Sequence, residues 1–431
     1  MTASRRPVAE PPGFLARVAA PYRAGLAGLD RRIPLLALST FLFIAARLGA
    51  LTFLGIYFVR VLEIPVPTVG LAFLVENVVR GAVGPFTGAL SDRIGRKPML
   101  IASVLASAAL MPAFLLVEDA RGLFLWSAAI GIAQGPWFPS SMALLIDLAP
   151  VARRQSAMAL VFTALALGYT LGVAPAGFLA SAGYELLAAG SSGVFLLVAL
   201  VVALAFRGPL PREPEGSRGS VLAEMLRAPR DPAFALFALL VFLFPLGIGL
   251  VSLVVPIYGS DLGLSEATIG LVLSASGIVL AGLALPANAR VESRGPFRFL
   301  PVAAAFAVAA YAALAFADGA LAMLVAVVVF TLAEVFFSAA LPVAVAALAP
   351  PGSRGAYQGT WGFLFAASVG SALFLAGLGR DALGWRATWL VFAAATALAG
   401  LGLALARARL RRVADARAAQ TTSTPASSPE A

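Results

Sequence analysis

Four ionisable side chains stand inside long apolar runs of this 431-residue chain: Arg47, Glu76, Arg80 and Glu334. A charge at the middle of a membrane-spanning helix costs ~2.5–3.5 kcal/mol on insertion scales, so such residues face a partner, a substrate or water. Glu76 and Arg80 are spaced i, i+4, which puts them on one helix face within pairing reach. That pair is either a satisfied structural bridge, or Glu76 titrates when something draws Arg80 away. Arg47 sits at similar depth in the preceding run and needs an acceptor, for which Glu76 is the obvious acid. Its other roles would be counter-ion to an acidic substrate group or modulator of a nearby carboxylate. Glu334 has no basic neighbour in its own run. It reads as a carrier of a proton or a substrate, with pairing to Arg47 as the alternative. The chain contains neither histidine nor cysteine. A side-chain proton relay therefore falls to carboxylates, with Glu334 and Glu76 as candidates. Thiolate chemistry is excluded, and no metal or organic cofactor is expected.

The elements that carry these residues follow from composition. The chain is 61% hydrophobic and 12% charged, with a mean hydropathy of +0.94, too few charges to wet a soluble surface. Twelve apolar runs lie near 33–58, 68–90, 99–117, 123–147, 155–181, 186–206, 233–258, 267–289, 299–317, 320–349, 356–379 and 385–406. Each is near or above the ~20 residues that cross hydrocarbon as a helix. A net charge of +10 would suit nucleic acid, but 25 of the 31 basic residues fall on one side of these runs. Arg60, Arg121, Arg380 and Arg386 fall on the other, and Arg47 and Arg80 lie within. That bias is topological and sets both termini in the cytoplasm, so nucleic acid is not an expected partner.

The chain repeats at an offset of about 200 residues: Ala149-Pro150 recurs as Ala349-Pro350, Arg154 as Arg354, and Gly183-Tyr184 as Gly384-Trp385. Repeats of this kind mark alternating-access transporters, whose substrate site lies near mid-membrane between the repeats. The expected fold is an all-α polytopic membrane protein, twelve transmembrane helices in two pseudo-symmetric six-helix bundles. The divisions are a cytoplasmic segment 1–32, a bundle 33–206, a Pro- and Arg-rich linker 207–232, a bundle 233–406, and a basic then disordered tail 407–431. The arginine-rich start of the tail suits anionic lipid. Residues 1–32 lack the apolar core and cleavage site of a signal peptide. Residues 13–29 place Phe14, Val18, Tyr22 and Leu26 on one face, as an interfacial helix would. Gln134 occupies the place in the fourth run that Glu334 holds in the tenth, but cannot titrate. The candidate cavity lining is Arg47, Arg80, Gln134, Trp137 and Glu334, with further aromatics in the cavity runs, such as Phe43 in the first and Phe244 in the seventh.

Residues 88–100 read Gly-Ala-Leu-Ser-Asp-Arg-Ile-Gly-Arg-Lys-Pro-Met-Leu and join the second and third runs. Gly88, Leu90, Asp92, Arg93, Gly95, Arg96, Lys97 and Leu100 resemble the signature of the major facilitator superfamily between its second and third membrane helices. The resemblance implies a cytoplasmic gate of Gly88, Asp92, Arg93, Gly95, Arg96, Lys97 and Asp147. In it Arg96 meets Asp147, and Asp92 faces the start of the eleventh helix near residues 355–358, where free N–H groups favour an anion. Such a network would hold the outward-open state and reform in each cycle. The second-half counterpart keeps Arg290, Arg294 and Gly295 but has Ala289 in place of Asp92.

Two further runs bear on the branch. Proton-coupled members carry an arginine three residues before a Gln-Gly pair; here that place is Gly131, and Arg47 is the substitute. Gly168, Gly172, Ala174, Pro175 and Gly177 are similar to a glycine-proline signature of exporters, with alanine for one glycine. Small residues there equally serve close packing of the fifth helix on the eighth. The chain thus resembles the drug–proton antiporters. The implied function is proton-coupled export of hydrophobic or amphiphilic compounds; the alternative cargo is an organic anion, sugar or lipid-like metabolite. No Gly-x-x-x-x-Gly-Lys-Ser/Thr motif for ATP occurs, and an enzyme is not expected. The expected partners are a small-molecule substrate, protons and membrane lipids, with the chain acting as a monomer in the plasma (inner) membrane.

Overall fold

The computed structural model describes residues 29–150, 153–207, 228–242, 247–350 and 353–423. Most of the segment 1–32, linker residues 208–227, Phe244, tail residues 424–431, Gly88 and the Asp92 side chain lie outside that description. Among the described residues the regular elements are all helical, as expected for a chain whose backbone must satisfy itself in lipid.

The first half runs as α1 (Arg32–Ile56), prolonged by a π-helical turn Tyr57–Val61, then α2 (Val66–Ile94) and α3 (Arg96–Leu110). α4 (Ala120–Gln134) and α5 (Trp137–Leu148) follow, separated by Gly135 and Pro136, whose ring nitrogen cannot continue the ladder. α6 (Arg154–Ala182) and α7 (Tyr184–Ala205) complete the half. The second half has α8 (Pro232–Val241), a π-helical turn Leu250–Val254, α9 (Val255–Asp261), α10 (Glu266–Arg294), α11 (Phe299–Ala315), α12 (Ala320–Ala347) and α13 (Arg354–Ser423). α13 breaks at Gly384, with φ 77°. Side-chain caps fix three helix starts: Asp119 accepts from Gly122 N, Asp231 from Ala233 N, and Ser265 from Thr268 N. Nine helices among the described residues are long and apolar enough to cross a membrane. Large apolar side chains on their outer faces, such as Leu125, Leu239 and Leu405, are exposed, as in a lipid-facing surface. The chain is a multi-pass membrane protein.

The 200-residue repeat is visible in the backbone. Gly95 and Gly295 both turn the chain at positive φ (104° and 81°), and so do Gly183 and Gly384. Each position adopts a conformation that a side chain would strain.

The halves meet along two helix pairs, α2 with α13 and α6 with α10. The close approaches that glycines mark in both pairs lie toward the end of the molecule that carries residues 62–65, 183, 262–265 and 384, here called the far end. A Cβ at Gly70 would overlap the Phe374 backbone, and one at Gly177 would overlap the Glu266 carbonyl. The glycine contacts nearest the linker end are Asn77 on Gly370 and Thr170 on Gly277. Beyond them, on the face of α2 that Asn77 turns to α13, a Cβ at Gly81 or Gly84 would meet nothing within 4 Å. The halves are packed at the far end, and α2 parts from α13 toward the linker end.

The expected tail differs from the structure. The last helix does not stop at 406 but continues through Ser423. Leu410 and Ala414 are buried and Val413 packs on the core. With Arg417 they form an i, i+3, i+4, i+7 stripe, and Arg417 reaches Asp231 at the start of α8. The stripe is an amphipathic pattern that lay hidden among arginines.

Candidate functional site

Arg47 of α1, Glu76 and Arg80 of α2, and Gln134 of α4 converge at mid-depth in the first half. Arg47 Nη2 donates to Glu76 Oε1 at 2.7 Å, and Arg47 Nε donates to Gln134 Oε1 at 2.7 Å. Arg80 Nε lies 3.3 Å from the same Glu76 oxygen, and Arg80 Nη2 donates to Asn77 Oδ1 at 2.8 Å. Glu76, Gln134 and Arg47 are buried, whereas the Arg80 side chain is 30% exposed. Arg47 is thus paired with Glu76, and the alternative pairing with Glu334 is not formed.

Gly131 explains how Gln134 arrives there. A Cβ at Gly131 would sit 2.8 Å from the Glu76 carbonyl oxygen, and one at Gly135 3.0 Å from that of Arg80. The small-x-x-x-small face lets the α4 backbone lie directly on α2. An arginine at 131 would not fit this contact, and Arg47 supplies the guanidinium from the neighbouring helix instead. Gly131-x-x-x-Gly135 opposite Glu76–Arg80 was the sequence signal for this contact; no signal pointed to the Arg47–Gln134 bond.

Trp137, at the start of α5, is buried and stacked on Phe43 with ring centroids 4.4 Å apart. It belongs to the packed interior of the first half, and its burial sets it apart from the half-exposed Arg80. Glu334, midway along α12, is half-buried, and among the described residues it makes no ion pair. Tyr169 of α6 lies within electrostatic range of it and stands beside Ser252. Polar groups therefore stand at mid-depth in both halves, a guanidinium-rich cluster in the first and a lone carboxyl in the second.

At the linker end, the glycine turn at 95 brings α3 back beside α2. Arg96 Nε lies 3.3 Å from Asp147 Oδ2, and Arg96 Nη1 donates to Ser91 Oγ at 2.8 Å. Lys97 Nζ donates to the Ala203 carbonyl at 3.0 Å, tying the turn to α7; Arg93 is exposed. All these contacts lie within the first half. At the far end Asp261 gathers Arg60, Arg380 and Trp385, a hub that sequence reasoning missed because each member stands in or beside a short loop.

The sequence pattern of the Major Facilitator Superfamily matches residues 36–364 and 237–429. YqjV of Bacillus subtilis (strain 168), an uncharacterized MFS-type transporter, is 24% identical over 319 residues, 73% of this chain and 78% of that one. The multidrug resistance protein MdtG of Dickeya zeae (strain Ech586) is 31% identical over 137 residues, 32% of each chain. The solved structure of the nucleoside transporter NupG superposes with a TM-score of 0.72 at 16% identity, over 87% of this chain and 99% of that one, a likeness of fold. With the family pattern spanning both halves, the chain belongs to the major facilitator superfamily of membrane transporters and resembles its multidrug exporter branch.

Proposed function

We propose that this chain is a proton-coupled secondary transporter that exports hydrophobic or amphiphilic small molecules by alternating access. One observation supports the reading: the halves are packed at the far end while α2 parts from α13 toward the linker end, with the polar clusters at mid-depth between. That is the geometry of one half-cycle. Joining α4 to α5 and α8 to α9, and counting the two arms of α13 separately, brings the nine long helices to twelve spans in two six-helix bundles. The basic bias favours a cytoplasmic linker end, so the access proposed for this state is from inside. We place the chain as a monomer in the inner membrane.

Glu334 is the proposed proton carrier. Among the described residues no cation pairs with it, and it stands where the cavity wall of the second half would be. Glu76, buried between two arginines, is the structural acid of the pair. The Arg96–Asp147 bridge is present while the linker end is open, so the arm of the cytoplasmic gate that must break is the one through Asp92. An inward proton yields ~2.3 kcal/mol per 100 mV and ~1.4 kcal/mol per pH unit, enough for export up a tenfold or larger gradient.

The test is transport into inside-out vesicles of labelled amphiphilic compounds under an imposed pH gradient. Substrate-dependent dissipation of that gradient, collapsed by a protonophore, is expected. Accumulation without any proton flux would overturn the coupling, and the absence of accumulation for every compound would overturn export.

A further inference from the structure

The cluster in the first half has more positive charge than it can satisfy. Glu76 Oε1 is one acceptor shared by two guanidinium groups. Asn77 adds a neutral oxygen for Arg80, and the Gln134 oxygen is taken by Arg47. Gln134 Nε2 is fully buried with no acceptor. Two arginines against one glutamate leave a formal surplus of one positive charge and unused donors.

The surplus cannot be discharged. A carboxyl such as Glu334 can neutralise itself by taking up a proton, but a guanidinium stays charged at any physiological pH. Arg47 is locked by two short bonds, so the exposed share of the surplus belongs to Arg80. Arg80 also stands at a particular place. α2 and α13 run antiparallel in contact from Val66 and Pro67 on Gly377, through Gly70 on Phe374, to Asn77 on Gly370. Arg80 is one turn past that last contact, where the helices part. Continuing the register sets Phe363, which is 57% exposed, across the fork from Gly81.

We propose that this fork is a binding subsite for amphiphilic organic anions: a carboxylate or sulfonate on Arg80, with the apolar body against Phe363 and the bare backbone at Gly81 and Gly84. This names the substrate class of the transport reading and rests on that reading, though not on its coupling ion. A bilayer lipid headgroup is a poor occupant. Arg80 is the midpoint of α2, 14 residues from Val66 and 14 from Ile94, about 21 Å from either end at 1.5 Å per residue, whereas headgroups lie at the two faces of a ~30 Å hydrocarbon core.

The experiment measures equilibrium binding to full-length protein in detergent with three labelled probes sharing one body: 2-naphthylacetate, 2-naphthylacetamide and 2-naphthylmethyl-trimethylammonium. The acetate is expected to bind at least tenfold tighter than the amide, and the ammonium weakest. Arg80→Gln should erase the preference for the acetate while leaving amide binding within about twofold. Arg80→Lys should restore part of the preference, which a merely unfolded variant would not, and Phe363→Ala should weaken acetate and amide alike. The proposal is overturned if the ammonium or amide binds as tightly as the acetate, if no probe binds, or if the preference survives Arg80→Gln. An excess of phosphatidylglycerol that displaces the acetate would overturn the exclusion of lipid. If the acetate binds through Arg80 yet is never moved across vesicles, the transport reading fails and the subsite stands. If the ammonium binds best and is moved, the reverse holds.

Discussion

Arg60, at the end of the first helix run, donates to Asp261 in the opposite half, and Asp261 accepts in turn from Arg380 at 2.9 Å and from the Trp385 indole at 2.7 Å. A single carboxylate at the far end thus holds one residue from the first half and two from the second. When the far end opens, the Arg380 and Trp385 contacts can persist, because they lie within one half. The Arg60 contact cannot. In the proposed alternating-access cycle it is the part of the hub that must break.

Its strength is limited by exposure. The Arg60 side chain is 45% exposed, and exposed pairs contribute ~0–1 kcal/mol. Arg60→Ala should therefore raise the far-end-open population by no more than about fivefold, a bias rather than a lock. Spin labels on Glu63→Cys and Leu383→Cys, the only cysteines in the chain, report it through a larger long-distance fraction. An unchanged distance distribution would show that helix packing alone seals this end.

Glu334 is predicted to separate coupling from movement. Glu334→Gln keeps the shape and hydrogen bonding of the side chain but carries no proton. Uphill accumulation should fall to background while counterflow exchange of the same substrate persists at a comparable rate. Substrate-driven proton release from the detergent-solubilised variant should vanish with it. Wild-type release from Glu334→Gln, together with its loss in Glu76→Gln, would transfer the role to Glu76.

Glu76 is predicted to matter for folding first. Removing one partner of a buried pair leaves an uncompensated charge, at a cost of about 3–5 kcal/mol. Glu76→Gln should show a lower midpoint of thermal unfolding in detergent, whereas Arg47→Met with Glu76→Leu should recover part of the loss, because the cluster's surplus falls back from two positive charges to one, carried by the partly exposed Arg80. Gly131→Ala should be destabilising as well, since its Cβ would press on the Glu76 carbonyl. A double variant as unstable as the sum of its parts would deny that the two residues act as a pair.

The two ends of α10 supply the topology test. Ser265 and Ser293 are both exposed and lie at opposite ends of one helix. Cysteine at 293 should react with an impermeant thiol reagent only from the cytoplasmic side, and cysteine at 265 only from outside. Reaction of both from the same side would refute the spanning assignment of this helix.

Much of this was legible because membrane helices advertise themselves. The apolar runs predicted starts near 68, 99 and 123, and the helices begin at Val66, Arg96 and Ala120. The i, i+4 spacing of Glu76 and Arg80 placed them on one face, and only 3.3 Å separates them. What stayed hidden depends on which helix touches which. Gln134 meets Arg47 across 87 positions of sequence, and Asp261 meets Arg60 across 201; no local period encodes either contact. Where the halves pack closely is also invisible to pattern, because those contacts join residues far apart in sequence. The tail misled for a different reason: its four early arginines masked the stripe of Leu410, Val413, Ala414 and Arg417 that continues the helix.

That stripe leads to Asp231. Its carboxylate caps α8 through Ala233 N, accepts from the Tyr357 hydroxyl at 2.8 Å and pairs with Arg417. Burial alone would raise its affinity for a proton, but the hydrogen bonds from Tyr357 and Arg417, with the Arg417 charge, outweigh burial and hold the group below the ordinary carboxylate range. A folded-state value below the unfolded one, ~3.9 for aspartate, contributes stability that is fully present above the unfolded value and is lost as pH falls through the folded value. The wild-type unfolding midpoint should therefore drop more steeply below about pH 4 than that of Asp231→Asn. At pH 7 the variant should already be the less stable of the two, and truncation after Ala406 should reproduce most of that loss by removing Arg417. Equal midpoints for wild type and Asp231→Asn at pH 7 would mean that the last helix docks through Leu410 and Ala414 alone.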